Sequence, residues 1–265
     1  MRALVWLLER CPLRLASLMC WKLAWIWWLV LPVRRAVAVA NLRACFPELP
    51  PGPTLRRSLA EILLGYVELL RHRRRPLELV YEDIELLTEP AGRGEGTLVV
   101  AGHGGSWDLM VAGFPRAFDV PVSIYVKPPA SPTLAALIEE LRVHFGLKLL
   151  PPDGSMLAGL RDLKRGSVLV FPLDQRRNQG IPSPFFGRPA WTSPALALAA
   201  RRTGAKVVGV WQWREGLGRH RLRCYPIALV GEREQDTATL NRFIEDRVRE
   251  RPHGWLWLHD RWRTP

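Results

Sequence analysis

Cysteine is scarce and scattered: Cys11, Cys20, Cys45 and Cys224 are the four in 265 residues, and no two stand in a Cys-x2-Cys spacing. That excludes a disulfide framework and a structural zinc site, and fits a reducing compartment. No serine sits in Gly-x-Ser-x-Gly, since Ser106, Ser155 and Ser167 each lack the second glycine, so the strained nucleophile turn of serine esterases is missing. The phosphate-cradling P-loop and the Rossmann glycine fingerprint are missing too. Acidic residues are few beside basic ones, 25 against 38, for a formal charge of +13. Such a surplus favours anionic partners: nucleic acid, an anionic membrane face or an acidic protein. There is no internal repeat and no long flexible linker.

Long uncharged apolar runs are also lacking. The longest, Leu23 to Val33, would span only about 16 Å as a helix, against a hydrocarbon core of about 30 Å. Extending the window back to Leu15 reaches roughly 28 Å but takes in Lys22, which costs about 3 kcal/mol at mid-membrane and less where its stem can snorkel. Trp21, Trp25, Trp27 and Trp28 suit the headgroup level, and Arg34-Arg35 closes the run with positive charge. The segment reads as a membrane attachment, either one short span or an in-plane anchor. This divides the chain into an N-terminal membrane anchor, 1–35, and a second unit, 36–265. A cleaved signal peptide using Ala36, Ala38 and Ala40 is disfavoured by the intervening arginines; a buried Trp-rich core helix is the other alternative.

Beyond Leu55 the pattern alternates between helix and strand. Leu55, Leu59, Ile62, Leu63, Tyr66, Leu69 and Leu70 form one helical stripe. Strands are expected at Thr97–Ala101, Val122–Val126, Ser167–Leu173, Ala205–Trp213 and Leu222–Leu229. Between and after them, helices are expected from Pro132 to Phe145, over Ser155–Lys164, from Pro194 to Gly204 and over Thr237–Arg251. This order argues for an α/β sheet with helices on its faces.

The strand Thr97–Ala101 delivers Gly102-His103-Gly104-Gly105-Ser106-Trp107-Asp108, and open α/β sheets place their sites at strand C-termini. Flanking glycines allow close approach and unusual dihedrals. Asp108, five positions on across a strand-to-helix turn, can reach back to one imidazole nitrogen of His103 and leave the other to take a proton from an alcohol. That is a dyad for acyl transfer with the substrate hydroxyl as nucleophile; a structural histidine in a tight turn is the competing reading. After the strand Ser167–Leu173 comes a polar stretch with Asp174, Gln175 and Arg176, then Phe185 and Phe186. The former could orient an acceptor head or hold phosphate, and the Phe pair could pack against acyl chain; a surface loop tied down by two aromatics fits equally well.

Together these blocks resemble the bacterial lipid A biosynthesis acyltransferase family, the late lauroyl/myristoyl enzymes and their mycobacterial phosphatidylinositol mannoside relatives. Asn41-Leu42 with Phe46-Pro47-Glu48, Gly102-His103 through Asp108, Asp174-Gln175, Phe185-Phe186-Gly187, Thr203-Gly204-Ala205 and the ending Arg251-Pro252 with Trp255 to Arg261 follow the family's order. The resemblance implies a mixed central sheet flanked by helices, like that of glycerolipid acyltransferases. It implies transfer of a fatty acyl group from acyl carrier protein or acyl-CoA to a hydroxyl of a membrane glycolipid such as a lipid A precursor. His103 would be the general base and Asp108 its orienting partner, without cofactor, metal or covalent acyl-enzyme. Lys127 or Arg176, with backbone N–H groups of Gly104 and Gly105, would stabilise the oxyanion. The setting would be the cytoplasmic face of a bacterial inner membrane. Two departures stand out: Asp108 replaces the more usual Glu, and Lys127-Pro128 replaces Arg-Pro, which keeps the charge but loses bidentate geometry. The alternatives are a catalytically silent lipid-binding relative and a basic nucleic-acid-binding protein. The dispersed charge and the absence of any nucleic-acid motif speak against the second, so no nucleic-acid partner is expected.

Overall fold

The computed structural model describes residues 2–127, 129, 131–151 and 155–264. Three helices open the chain, α1 (Arg2–Arg10), α2 (Leu13–Leu29) and α3 (Arg35–Cys45), followed by the long α4 (Pro51–His72). Then come β1 (Glu78–Glu82), α5 (Glu85–Gly92), β2 (Thr97–Ala101), α6 (Trp107–Phe118), β3 (Val122–Tyr125), α7 (Pro132–His144), β4 (Leu147–Leu150), α8 (Met156–Leu163) and β5 (Val168–Pro172). The last part holds a hairpin, β6 (Ile181–Phe185) and β7 (Arg188–Thr192), then α9 (Ala195–Thr203), β8 (Val207–Gly216), β9 (Arg219–Ile227), α10 (Arg233–Glu250) and a 3₁₀ turn, Pro252–Gly254.

Seven strands make one sheet in the order β1-β9-β8-β2-β5-β3-β4. Neighbours run parallel except β8 and β9, so the sheet is mixed. Its central strands are apolar throughout because both faces are covered. Alternation along the pleat sends Leu98, Val100, Leu169 and Phe171 to one face, where they meet α8, α9 and α10 through Leu163, Leu196 and Ile244. Val99, Ala101, Val168 and Val170 point the other way, onto Met110, Val111 and Phe114 of α6.

The central strands and the helices α4, α7, α8, α9 and α10 lie where the periodicity places them, within a few residues, whereas α3 and α5 were not expected. The patterns of β1, β4 and the β6–β7 hairpin were not readable: β1 and β4 are short edge strands, and β6 carries two prolines. The turn between β8 and β9 is tight, since β8 runs to Gly216 and only Leu217 and Gly218, with φ +74°, make the reversal.

At the N-terminus the apolar run does not form one long helix. α2 stops at Leu29, about 25 Å long, and among the described residues no helix is long and apolar enough to cross a membrane. α2 packs on α4 through Ala16, Cys20, Ala24 and Trp27. Its large residues Leu15, Leu18, Trp25, Ile26 and Leu29 face outward.

The two ends of the chain are tied together. The Asn41 amide of α3, buried, donates to the carbonyls of Trp257 (3.0 Å) and His259 (2.8 Å), and Ser58 of α4 donates to the carbonyl of Trp255 (2.7 Å). Arg261, fully buried, donates to Trp191 O and Thr192 Oγ1 and so clamps the hairpin. Removing one such donor strands buried carbonyls. Asn41→Ala is therefore expected to cost about 1–3 kcal/mol, to be read as a lower denaturation midpoint with an unchanged slope.

Candidate active site

β2 and β5 are adjacent and parallel, with Ala101 opposite Pro172. The amide of Leu173 extends the ladder to Ala101 O (3.0 Å). Two residues past the paired ends, His103 and Asp174 therefore stand side by side at the C-terminal edge of the sheet. His103 Nδ1 lies 2.7 Å from Asp174 Oδ1, and the His103 backbone N–H donates to Asp174 Oδ2 at 2.6 Å. A third donor, Trp255 Nε1–H, reaches Oδ2 at 2.8 Å. The carboxylate is almost completely buried, whereas the imidazole keeps about a fifth of its surface exposed.

Each member shifts the other. Burial opposes the charge on Asp174, but His103 and the three donors outweigh it and hold the carboxyl down to about 2. Burial likewise opposes an imidazolium, and the Asp174 charge outweighs that, so the pKa of His103 is raised. An ionised Asp174 accepts Nδ1–H and leaves the Nε2 lone pair free as a base. Gln175 Nε2 faces that lone pair at 3.3 Å, and the ring of Trp107 packs edge-on against the imidazole, 5.2 Å between centroids.

The partner of His103 expected from the sequence was Asp108, and here the structure corrects the reading. Asp108 opens the first turn of α6, and its Oδ1 takes Arg142 Nε from α7 at 2.7 Å. The ion pair turns its side chain away to α7, while strand register brings Asp174 to the imidazole instead. Asp108 still adds to the negative field that favours protonated His103, with Arg142 opposing it.

The backbone after His103 is spoken for almost completely. Gly105 N–H donates to Gly254 O (2.7 Å), and Ser106 N–H to Gln212 Oε1 (2.6 Å). This corrects the expectation for Gly105, whose amide is not free for an oxyanion. Across 103–106, the Gly104 N–H is the one with no hydrogen bond among the described residues. Glycine is required at both positions: a Cβ at Gly104 would overlap the Trp211 ring, and Gly105 has φ +60°.

Of the other expected residues, Arg176 spends its amide on His259 Nε2 (2.9 Å) and one guanidinium nitrogen on Thr264 O (3.1 Å). Burial lowers the pKa of His259 to about 4, so it stays a neutral acceptor. Lys127 is exposed beyond β3 and makes no ion pair among the described residues; its neighbour Pro128 lies outside them. Phe185 and Phe186 are not at an open surface. They form the buried end of the β6–β7 hairpin, against Trp255 and Trp262 for Phe185 and Phe46 for Phe186, so the acyl-contact reading gives way to a structural one. Trp255, His259 and Arg142 were missed as site residues; the Trp-rich ending was visible, but its reach back to Asp174 was not.

A His–Asp pair beside a glycine turn suits proton abstraction from an alcohol, and comparison with known proteins specifies the chemistry. The family model described as bacterial lipid A biosynthesis acyltransferase matches residues 1–264. The chain belongs to that family. This acyltransferase is also 25% identical over 227 residues to a phosphatidylinositol mannoside acyltransferase of Mycolicibacterium smegmatis, a match covering 80% of this chain and 73% of that one.

The shifts predict a pH profile. A base acts when neutral, so activity should rise with pH through the pKa of His103, above the ordinary imidazole value of about 6.5. Asp174→Asn removes the charge that raises it and leaves burial, which lowers it. The limb should move to lower pH while the plateau falls, and Asp108→Asn should move it less; initial rates from pH 5 to 9 measure both.

Proposed function

We propose that this acyltransferase moves a fatty acyl group from a thioester, acyl carrier protein or acyl-CoA, to a hydroxyl of a membrane glycolipid such as a lipid A precursor. The observation that carries the reading is the 2.7 Å contact of His103 Nδ1 with Asp174. The acceptor hydroxyl replaces the Gln175 amide at Nε2 and gives up its proton there as its oxygen attacks the thioester carbonyl. The Gly104 N–H is the amide open to the resulting oxyanion. Collapse breaks the C–S bond, and the departing thiolate takes the proton back from the imidazolium. Asp174 keeps the ring in one tautomer and one orientation, as carboxylates do in hydrolytic triads. The Asp108–Arg142 pair fixes the start of α6 beneath the ring. The family supports acyl transfer, and the named relative supports a glycolipid acceptor.

The same reading puts the enzyme in the plane of a membrane, at the cytoplasmic face of a bacterial inner membrane. Fourteen of the twenty exposed large apolar side chains among the described residues lie within the first 33, on α1, α2 and the link to α3. Small residues inward and large apolar ones outward is the arrangement of a helix that faces lipid. Arg34, Arg35 and Lys22 stand near by for anionic headgroups.

Two outcomes test this. His103→Ala should lower kcat by about 10²–10⁴-fold, measured with lauroyl-CoA and with lauroyl-acyl carrier protein on a lipid A precursor; an unchanged rate removes the base. Leu18→Lys with Ile26→Lys should reduce co-sedimentation with vesicles of anionic phospholipid, without lowering the denaturation midpoint, since both side chains are exposed.

A further inference from the structure

The amide of Ser106, three residues past His103, ends on a side chain of β8, the strand beside β2, and behind that side chain runs a buried polar chain. Gln212 of β8 accepts the Ser106 N–H on Oε1. Its Nε2 lies against His220 Nδ1 of β9. His220 Nε2 lies 3.1 Å from Oε2 of Glu68, which belongs to α4 and is fully buried. Glu68 also takes Arg214 Nη2 at 2.6 Å and the Gly218 N–H at 3.0 Å, and Arg214 Nη2 in turn donates to Ser106 Oγ at 3.2 Å. Gly65 on α4 makes room for this, since a Cβ there would come within 2.8 Å of Ser106 Oγ.

The polarity of the chain follows from its two ends. A backbone N–H only donates, so the Gln212 atom facing Ser106 is the oxygen and the atom facing His220 is the NH₂ group. Gln212 then donates, so Nδ1 of His220 is the acceptor and carries no proton, which leaves the ring proton on Nε2, 3.1 Å from Glu68 Oε2 but without the alignment of a hydrogen bond. The other end agrees: Glu68 receives hydrogen bonds from Arg214 and Gly218, with His220 Nε2 beside it at 3.1 Å. Its carboxyl is held below the usual range, burial being outweighed by the neighbouring His220 and Arg214. No link can be reversed without leaving two donors or two acceptors face to face.

We propose that Gln212 is a positioning residue for the catalytic turn, with its side-chain amide oriented by His220 and Glu68. Fixing the Ser106 N–H and, through Gly254, the Gly105 N–H holds the two peptide planes that follow Gly104, and so restricts the turn that carries His103 and the free Gly104 N–H. The proposal rests on His103 being the base, but its structural half does not.

The decisive comparison is Gln212→Met against Gln212→Glu in the full chain with lipid vesicles. Methionine fills similar space and offers Ser106 no oxygen. Glutamate still offers one, and its other oxygen is matched if His220 takes a second proton. The new carboxylate, Glu68, Arg214 and His220 then carry no net charge. Gln212→Met should lower kcat about tenfold or more with KM for lauroyl-CoA within about twofold, and should speed hydrogen exchange at the Ser106 amide. Gln212→Glu should recover most of both. In the unmodified enzyme, ¹⁵N resonances of labelled histidine should show His220 protonated at Nε2 and bare at Nδ1. An unchanged kcat in Gln212→Met, equal loss in both variants, or a proton on His220 Nδ1 overturns the proposal. Full activity in His103→Ala would overturn the base instead, and would leave the His220 tautomer and Ser106 exchange as they are.

Discussion

A buried carboxylate has to be satisfied, and here that demand organises the end of the sheet. Taking Asp174 out of water costs several kcal/mol unless donors replace the solvent. Three arrive from two places, the amide and ring of His103 and the indole of Trp255. The first two require β2 and β5 to be neighbours in fixed register. The third requires the C-terminal Trp-rich ending to fold back across the sheet edge, where Leu256 N–H also bonds to His103 O (3.1 Å). Gly102 lets this happen, because a Cβ there would press on Trp211 at 2.8 Å and on Asp174 Oδ2 at 3.2 Å. The same bonds that satisfy the acid orient the His103 ring, so the folding of the sheet edge and the geometry of the candidate site share one set of atoms.

This explains which parts of the site were legible in the sequence. His103 was, because its signal is local: an apolar strand, glycines on both sides, a helix start. The residue that completes the pair was visible as chemistry but not as a partner. Asp174 ends a strand that periodicity locates well, yet only the side-by-side order of β2 and β5 brings it to His103, and strand order leaves no trace in spacing. Asp108 has the opposite property, close in sequence and drawn away by Arg142 from α7. Phe185 and Phe186 show the same limit, since an aromatic pair beside a turn reads alike whether it lines a pocket or fills a core. Phe186, at φ +52° with its N–H on Glu245, is held for the hairpin.

The N-terminal segment was legible in composition and not in direction. Hydropathy sums cannot say which face of α2 is covered. The packing can: the side chains pressed on α4 are chiefly small ones, Ala16, Cys20 and Ala24, which allows close helix approach, and the bulk is left outside. A helix of a water-soluble core is built the other way round, with its large residues inward. Arg71 and Arg73 are used on this same joint, holding the end of α1 through the carbonyl of Cys11 and the carboxylate of Glu9.

α4 thus lies between two different environments. One side meets the helices whose outer face is apolar; the other meets the His103 turn through Gly65, the C-terminal ending through Ser58 and the β8–β9 turn through Glu68. Glu68 is the costly element in that layer. Ion pairs with both charges out of water seldom add to stability, and apolar residues of similar volume often do as well or better. Stability alone therefore gives no reason for Glu68, Arg214, His220 and Gln212 to stand there. Direction does: apolar packing can fill the space behind Ser106, but it cannot present an oxygen to one amide, and only a chain anchored on an ionised acid keeps that oxygen from exchanging places with the NH₂ beside it.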